Sequence, residues 1–336
     1  MRTTQLLRSS AMALVFALGA ASCGGGDDKP ASLTTSTTAA GASRAGAGTE
    51  GVQAGDAPVV TLLDAGAEPQ KKLRLALMEG ATLKAALTLK FGLELEVDGK
   101  PLPANVIPPI RVDLGATVNH IKENGDAEVG FSYERIDVVD DGTAEKEVID
   151  QVRASGLDKL ANLTGKTTIT PRGVAVDSSL DVPEDLPPAL KQVVDQLSQQ
   201  TGSLTVPFPE EAVGSGAKWK VTTSADVGGI KAKLVLTYGL RQIDGDQFVL
   251  DVAYEQTAGR QQAEFPGLPE GTDVELRNLS VKGKGEITGN VAAIFPVRST
   301  LSAAGTVNMD VKSEKEEGKL VQRLKLDVNF ETLPAG

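Results

Sequence analysis

Leu87-Thr88-Leu89-Lys90-Phe91-Gly92-Leu93-Glu94-Leu95-Glu96-Val97 decides the fold class. Every odd position in this run is apolar, and every even position is polar or glycine. Successive side chains of a β-strand point to opposite faces, so a period of two puts all the apolar groups on one face. A strand of this kind lies on a core with one face and meets water with the other, as antiparallel sheets allow. The same alternation recurs at Val174–Val182, Ala232–Leu240, Phe248–Tyr254 and Leu324–Phe330. Between such runs, Glu123-Asn124-Gly125-Asp126 and Asp244-Gly245-Asp246 carry the Asn-Gly and Asp-Gly pairs that supply positive φ in tight hairpins. Lys312–Lys319 reads as a charged tip between two more strands.

Two segments depart from period two. From about Pro187 to Thr201, Leu186, Leu190, Val193, Val194 and Leu197 fall on one helical face. Pro187 and Pro188 suit the first turn of that helix and Gly202 its C-terminal cap. A second helix is expected over about Ala144–Leu160, with Val148, Ile149 and Val152 on one side and Gly156 interrupting it.

The chain also reads as duplicated. Gly165-Lys166 followed by Ile169-Thr170 has a counterpart in Gly283-Lys284 followed by Ile287-Thr288, offset by 118 residues. Asn124-Gly125-Asp126 matches Asp244-Gly245-Asp246 at an offset of 120, and Tyr133-Glu134 matches Tyr254-Glu255 at 121. Offsets this close favour an internal repeat. The expectation is a mainly β fold, with antiparallel meanders in two pseudo-repeats and one or two amphipathic helices. Each half has one apolar face to bury. A barrel-like domain or two packed sheets would do so; the barrel is favoured, with the helix of residues 187–201 joining the halves and covering an opening or edge. Charged outer faces argue against a membrane-spanning barrel, whose outer surface must be apolar.

The N-terminus is a targeting segment. Arg2 and Arg8 precede an apolar run from Ala11 to Ala21, and Ala20-Ala21-Ser22-Cys23 supplies small residues at a cleavage site. The run is too short to span a bilayer comfortably. This arrangement resembles bacterial lipoproteins, with Ala20 standing where leucine is commonest. The resemblance implies that residues 1–22 are removed and that Cys23, the only cysteine, carries a thioether-linked diacylglycerol as the new N-terminus. Each buried CH₂ adds roughly 0.8 kcal/mol, so two or more acyl chains give durable anchoring. The protein is then exported and lipid-anchored to the cell membrane or outer membrane. Residues 23–56 are rich in Gly, Ser, Thr and Ala, without apolar periodicity, and read as a disordered tether. A chain of that length has an r.m.s. span of about 30–35 Å.

What remains is long enough for one large β domain or two smaller ones, with a first half over residues 57–203 and a second over 204–336. Aromatic residues make up only 4%, with one Trp, so the core must be built from Val, Leu, Ile and Ala. The chain carries 34 basic against 45 acidic residues, and loss of Arg2 and Arg8 leaves 32 against 45, a net charge of −13. That excludes nucleic acid as a partner and argues against an electrostatic grip on anionic lipid.

A further resemblance lies in Phe208-Pro209-Glu210-Glu211-Ala212-Val213-Gly214-Ser215-Gly216-Ala217-Lys218-Trp219. It is similar to a Pro-x-x-x-Val-Gly-x-Gly-x-x-Trp segment found midway through a family of secreted bacterial lipoproteins of unassigned function. The resemblance carries over no catalytic residue. Read physically, the segment is a turn feeding a strand on which Trp219, Val221 and Thr223 share a face.

Catalytic patterns are missing. His120 is the sole histidine, which excludes His-rich zinc sites and H-E-x-x-H proteases and makes any Ser-His-Asp triad depend on one residue. Gly214-Ser215-Gly216 falls short of a G-x-S-x-G elbow, and Gly165-Lys166-Thr167 lacks the upstream glycine of a phosphate loop. Asp137, Asp140 and Asp141 with Gly142 lack the order of a calcium loop and read as an acidic hairpin end. Glu210-Glu211 reads as solvated charge. The chain is therefore expected to be no enzyme, to need no cofactor or metal, and to act as a membrane-anchored envelope lipoprotein. Its partner would be an apolar small molecule held between sheets or, alternatively, an envelope protein docked on a structural or interaction module.

Overall fold

The run at residues 87–97 forms the last eleven residues of a sixteen-residue strand in the computed structural model, which describes residues 58–103, 106–154, 157–161, 163–181, 205–227, 230–263, 271–313 and 317–334. The signal segment, Cys23, the tether and the helix expected at 187–201 lie outside the described residues. The first meander follows β1 (Val59–Asp64) and holds β2 (Thr82–Val97), the short β3 (Lys100–Pro101), β4 (Ile110–Ile121), β5 (Ala127–Val138), β6 (Thr164–Ile169) and β7 (Ala175–Asp181). The second holds β8 (Lys218–Val227), β9 (Ile230–Asp244), β10 (Gln247–Ala258), β11 (Gln261–Ala263), β12 (Asp273–Asn290), β13 (Arg298–Lys312) and β14 (Glu317–Leu333). The hairpin turns fall as read, with φ +86° at Gly125 between β4 and β5 and +54° at Gly245 between β9 and β10. The helix expected over 144–160 is α1 (Lys146–Ala154), followed by a 3-10 turn at Leu157–Leu160. Ile149 is buried, with Val148 and Val152 half-buried.

All these strands belong to one antiparallel sheet, in the order β1-β8-β9-β10-β12-β13-β14-β2-β4-β5-β6-β7, with β11 on β12 and β3 on β2. The two meanders meet where the last strand lies against the first long one, from Leu320 opposite Val97 to Leu333 opposite Lys84. β1, in the first half by sequence, pairs with β8 of the second. The sheet is not closed. β1 and β7 are its ends and do not pair with each other, which corrects the expected barrel, and the single sheet replaces the two-sheet alternative. The reason lies in the ends themselves. β7 is short, its pairing with β6 slips between Lys166 and Thr168, and Asp177 within it has φ +51°. A strand so interrupted presents no continuous ladder for β1 to join.

Two straps draw the ends together instead. Residues 65–81 link β1 to β2 across one rim, and residues 205–217 lead into β8. The straps bond to each other between Lys71 and Val213 in both directions, at 3.0 and 2.9 Å. They also hold the β6–β7 turn: Phe208 N–H donates to Arg172 O at 2.8 Å, and Leu75 N–H to Pro171 O at 2.7 Å. At the crossing, a Cβ on Gly214 would lie 1.8 Å from Ala67 O, and Gly66 needs φ +75°. The Val-Gly-x-Gly spacing is thus the crossing point of two backbones.

Apolar side chains of the inward phase form three clusters. One gathers β4, β5, Ile149, Leu160, Phe295 and Phe330. A second gathers β2, β12, β13 and β14 around Leu95, Leu276, Val307 and Leu324. The third fills the strapped rim, where Trp219 stacks on Tyr238 at 5.5 Å and Phe208 meets Phe248 edge-on at 5.5 Å. Trp219 is fully buried and donates its indole N–H to Pro207 O at 2.9 Å. Trp219, Val221 and Thr223 are all buried, as one shared face requires.

The two halves are alike in strand order but differ in register. Tyr254 lies opposite Gly283, whereas the residue opposite Gly165 is Phe131, not Tyr133.

Candidate functional site

The polar face of the first meander carries a trough of about 790 Å³, within the range of small-molecule sites. Register explains its shape. Lys84, Gly115, Ser132, Thr164 and Asp181 are cross-strand partners in one line over β2, β4, β5, β6 and β7. Beside it Thr82, Thr117, Gly130 and Lys166 form a second line. Each line has a glycine near its middle, short hydroxyl side chains next to it and a charged side chain towards the rim. Side chains i and i±2 of one strand share a face, so both lines stand on the side away from the core. Glycine in a strand often marks a close approach, and here neighbouring side chains lean over the two on adjacent strands. A Cβ on Gly115 would meet Glu134 Oε1 and Ser132 Oγ at 2.9 Å, and one on Gly130 would meet Asn119 Nδ2 at 2.9 Å.

The rims are internally compensated. Lys84 Nζ lies 2.9 Å from Glu134 Oε1 on one side, and Thr164 Oγ1 donates to Asp181 Oδ2 at 2.9 Å on the other. Both rim pairs are largely exposed, so the ion pair contributes little to stability. Thr117, Asn119, Ser132 and Lys166 line the trough, and among the described residues their side chains have no hydrogen-bond partner. Glycines on the polar phase of strands joined by the Asn124-Gly125 turn were the sequence signal for this site.

On the inward side, a space among Phe91, Val281, Ala303, Leu324 and Leu326 amounts to about 10 Å³, at most one water. Two glutamines stand on the inward face. Gln256 Oε1 accepts from the Tyr254 hydroxyl at 2.8 Å, and burial pushes that phenol well above its ordinary pKa. Gln322, 1% exposed, has a buried Oε1 with no partner.

The residues weighed in the sequence fall elsewhere. His120 ends β4 in the open, its Nδ1 3.1 Å from Glu79 Oε2. Ser215 sits in the strap crossing, where its carbonyl accepts from Ala67 N–H at 2.9 Å. Asp140 and Asp141 cap their own turn through Gly142 and Thr143. The Lys90 ammonium at 2.8 Å, then the Thr143 hydroxyl, lower the Asp141 carboxyl to about 2. Glu210 departs from its reading as solvated charge. It is 64% exposed, yet Arg74 lies at 3.3 Å, Arg172 at 3.5 Å and Lys72 at 3.7 Å from its carboxylate. Arg74 also donates to Pro209 O and Glu210 O at 2.8 and 2.9 Å, so this cluster pins one strap to the other.

Among the described residues, no group of three or more His, Cys, Asp or Glu is placed to hold a metal, and no helix is long and apolar enough to cross a membrane. Comparison of the chain with protein-family models and with curated proteins finds no match.

Proposed function

We propose that the protein is an exported lipoprotein, anchored through Cys23 to the cell membrane or outer membrane, whose body is a non-catalytic recognition module working through the polar trough. The observation that carries this reading is the trough of about 790 Å³ on the face of the sheet turned away from the core. The interior space among Phe91, Val281 and Leu324 is too small for an apolar ligand without displacing packed side chains, so the interaction reading is preferred. The anchor is supported by the order of charged residues, apolar run and Ala20-Ala21-Ser22-Cys23. Within the same reading the two meanders are pseudo-repeats, supported by their shared strand order and hairpin turns.

Metabolic labelling with palmitate tests the anchor. Wild-type protein takes up label and partitions into detergent, while Cys23→Ser takes up none and keeps its signal segment. Labelling that survives Cys23→Ser overturns it. A photocrosslinker at Ser132 tests the trough: it captures a cellular component that the same group at Thr300, on exposed β13 surface, does not. Equal capture from both positions overturns that part.

A further inference from the structure

We infer that the trough binds a neutral, polyhydroxylated linear chain, a glycan strand, laid across the sheet perpendicular to its strands; this rests on the trough being the recognition surface.

Its dimensions come first. The line that starts at Leu333, opposite Lys84, and ends at Asp181 crosses five inter-strand gaps. At ~4.8 Å per gap this is ~24 Å, which suits an oligomer better than a single compact metabolite. The lowest ground, at Gly115 and Gly130, lies midway, where the side chains of Ser132, Glu134 and Asn119 lean over the glycines and present polar atoms to a strand crossing there.

Charge is the second constraint. The lining carries two cations, Lys84 and Lys166, and two anions, Glu134 and Asp181, so it has no net charge, and the chain as a whole is acidic. An anionic polymer would meet the acidic body, and a cationic one would have to separate the Lys84–Glu134 pair. A neutral ligand meets neither obstacle.

Hydrogen-bonding capacity is the third. The side-chain groups without a partner among the described residues are an amide (Asn119), two hydroxyls (Ser132 and Thr117) and an ammonium (Lys166). Amides and hydroxyls donate and accept at once, which matches a ligand whose own hydroxyls do the same. An extended peptide is also linear, but it binds sheets by adding to a free edge. Here the floor strands β2, β4, β5 and β6 are each paired on both sides, so their backbone groups are already used.

The test is a glycan array probed with mature, detergent-solubilised lipoprotein, followed by titration with the neutral oligosaccharide giving the strongest signal. Wild-type protein binds neutral oligosaccharides and affinity rises with chain length. Ser132→Phe fills the floor and lowers affinity by about tenfold or more, while Thr300→Phe leaves it unchanged. Should Ser132→Phe fail to fold, Asn119→Ala serves, with about a fivefold loss from one hydrogen bond. Absence of binding to every neutral oligosaccharide, binding indifferent to these variants, or preference for acidic glycans overturns the assignment. If the Ser132 crosslinker captures a protein while the array stays blank, the trough remains the recognition surface and the glycan assignment alone falls.

Discussion

Gln322→Leu should stabilise the protein. Gln322 stands on the inward phase of β14 between Leu320 and Leu324, opposite Val307 on β13 and Leu95 on β2. Its Oε1 has left water without gaining a donor. Such an orphaned acceptor costs about 1–3 kcal/mol, and leucine of similar bulk removes the cost while adding apolar contact. At about 2–4 °C per kcal/mol for a domain of this size class, the expected gain is roughly 2–12 °C in Tm. Gln256→Leu is the matched opposite. It takes away the acceptor of the buried Tyr254 hydroxyl and should cost about 1–3 kcal/mol. Two buried glutamines on the same sheet face therefore change stability with opposite signs. Urea titration reads both, followed by the emission of Trp219, the only tryptophan and fully buried. A lower midpoint for Gln322→Leu would refute the reasoning, because it would mean that the carboxamide is bonded in solution.

Three further outcomes follow from the same structure. Gly214→Ala forces a Cβ to within 1.8 Å of Ala67 O, where only backbone can yield; it should destabilise by more than ~3 kcal/mol, read by thermal circular dichroism, and a loss below ~1 kcal/mol would refute the strap crossing. Trp219→Ala empties the stack on Tyr238 and leaves Pro207 O unpaired, at a cost of ~3–5 kcal/mol by the same assay. Asp141, held at about 2 against an ordinary 3.8, contributes stability that is present above pH 3.8 and lost as pH falls through about 2. Lys90→Ala should return that carboxyl towards 3.8 in a carbon-13 NMR titration, and a value that stays near 2 would refute the pairing.

The strands were legible because period two is a local signal. Ala232–Leu240 and Leu324–Phe330 fall inside β9 and β14, and the Asn-Gly and Asp-Gly turns fall between the strands expected. The order of the strands was not legible. Nothing in the alternation at 87–97 says that its partner is the C-terminal strand, because pairing is a non-local choice made by packing. The expected barrel failed at its ends for a related reason: the slip after Lys166 and the positive φ at Asp177 are backbone events that no residue type there announces. Gln322 was visible as a polar residue in an apolar phase, but its missing partner needed coordinates. Gly115 and Gly130 became meaningful only when register set them side by side as the floor of one trough.

The seam between β2 and β14 governs when folding can finish. The strand at the middle of the sheet waits for a neighbour that lies 223 to 249 residues further along the chain. Such long-range pairing is slow, since chain closure must precede any reward from contact. Removing β14 would deprive both meanders of their common neighbour at once.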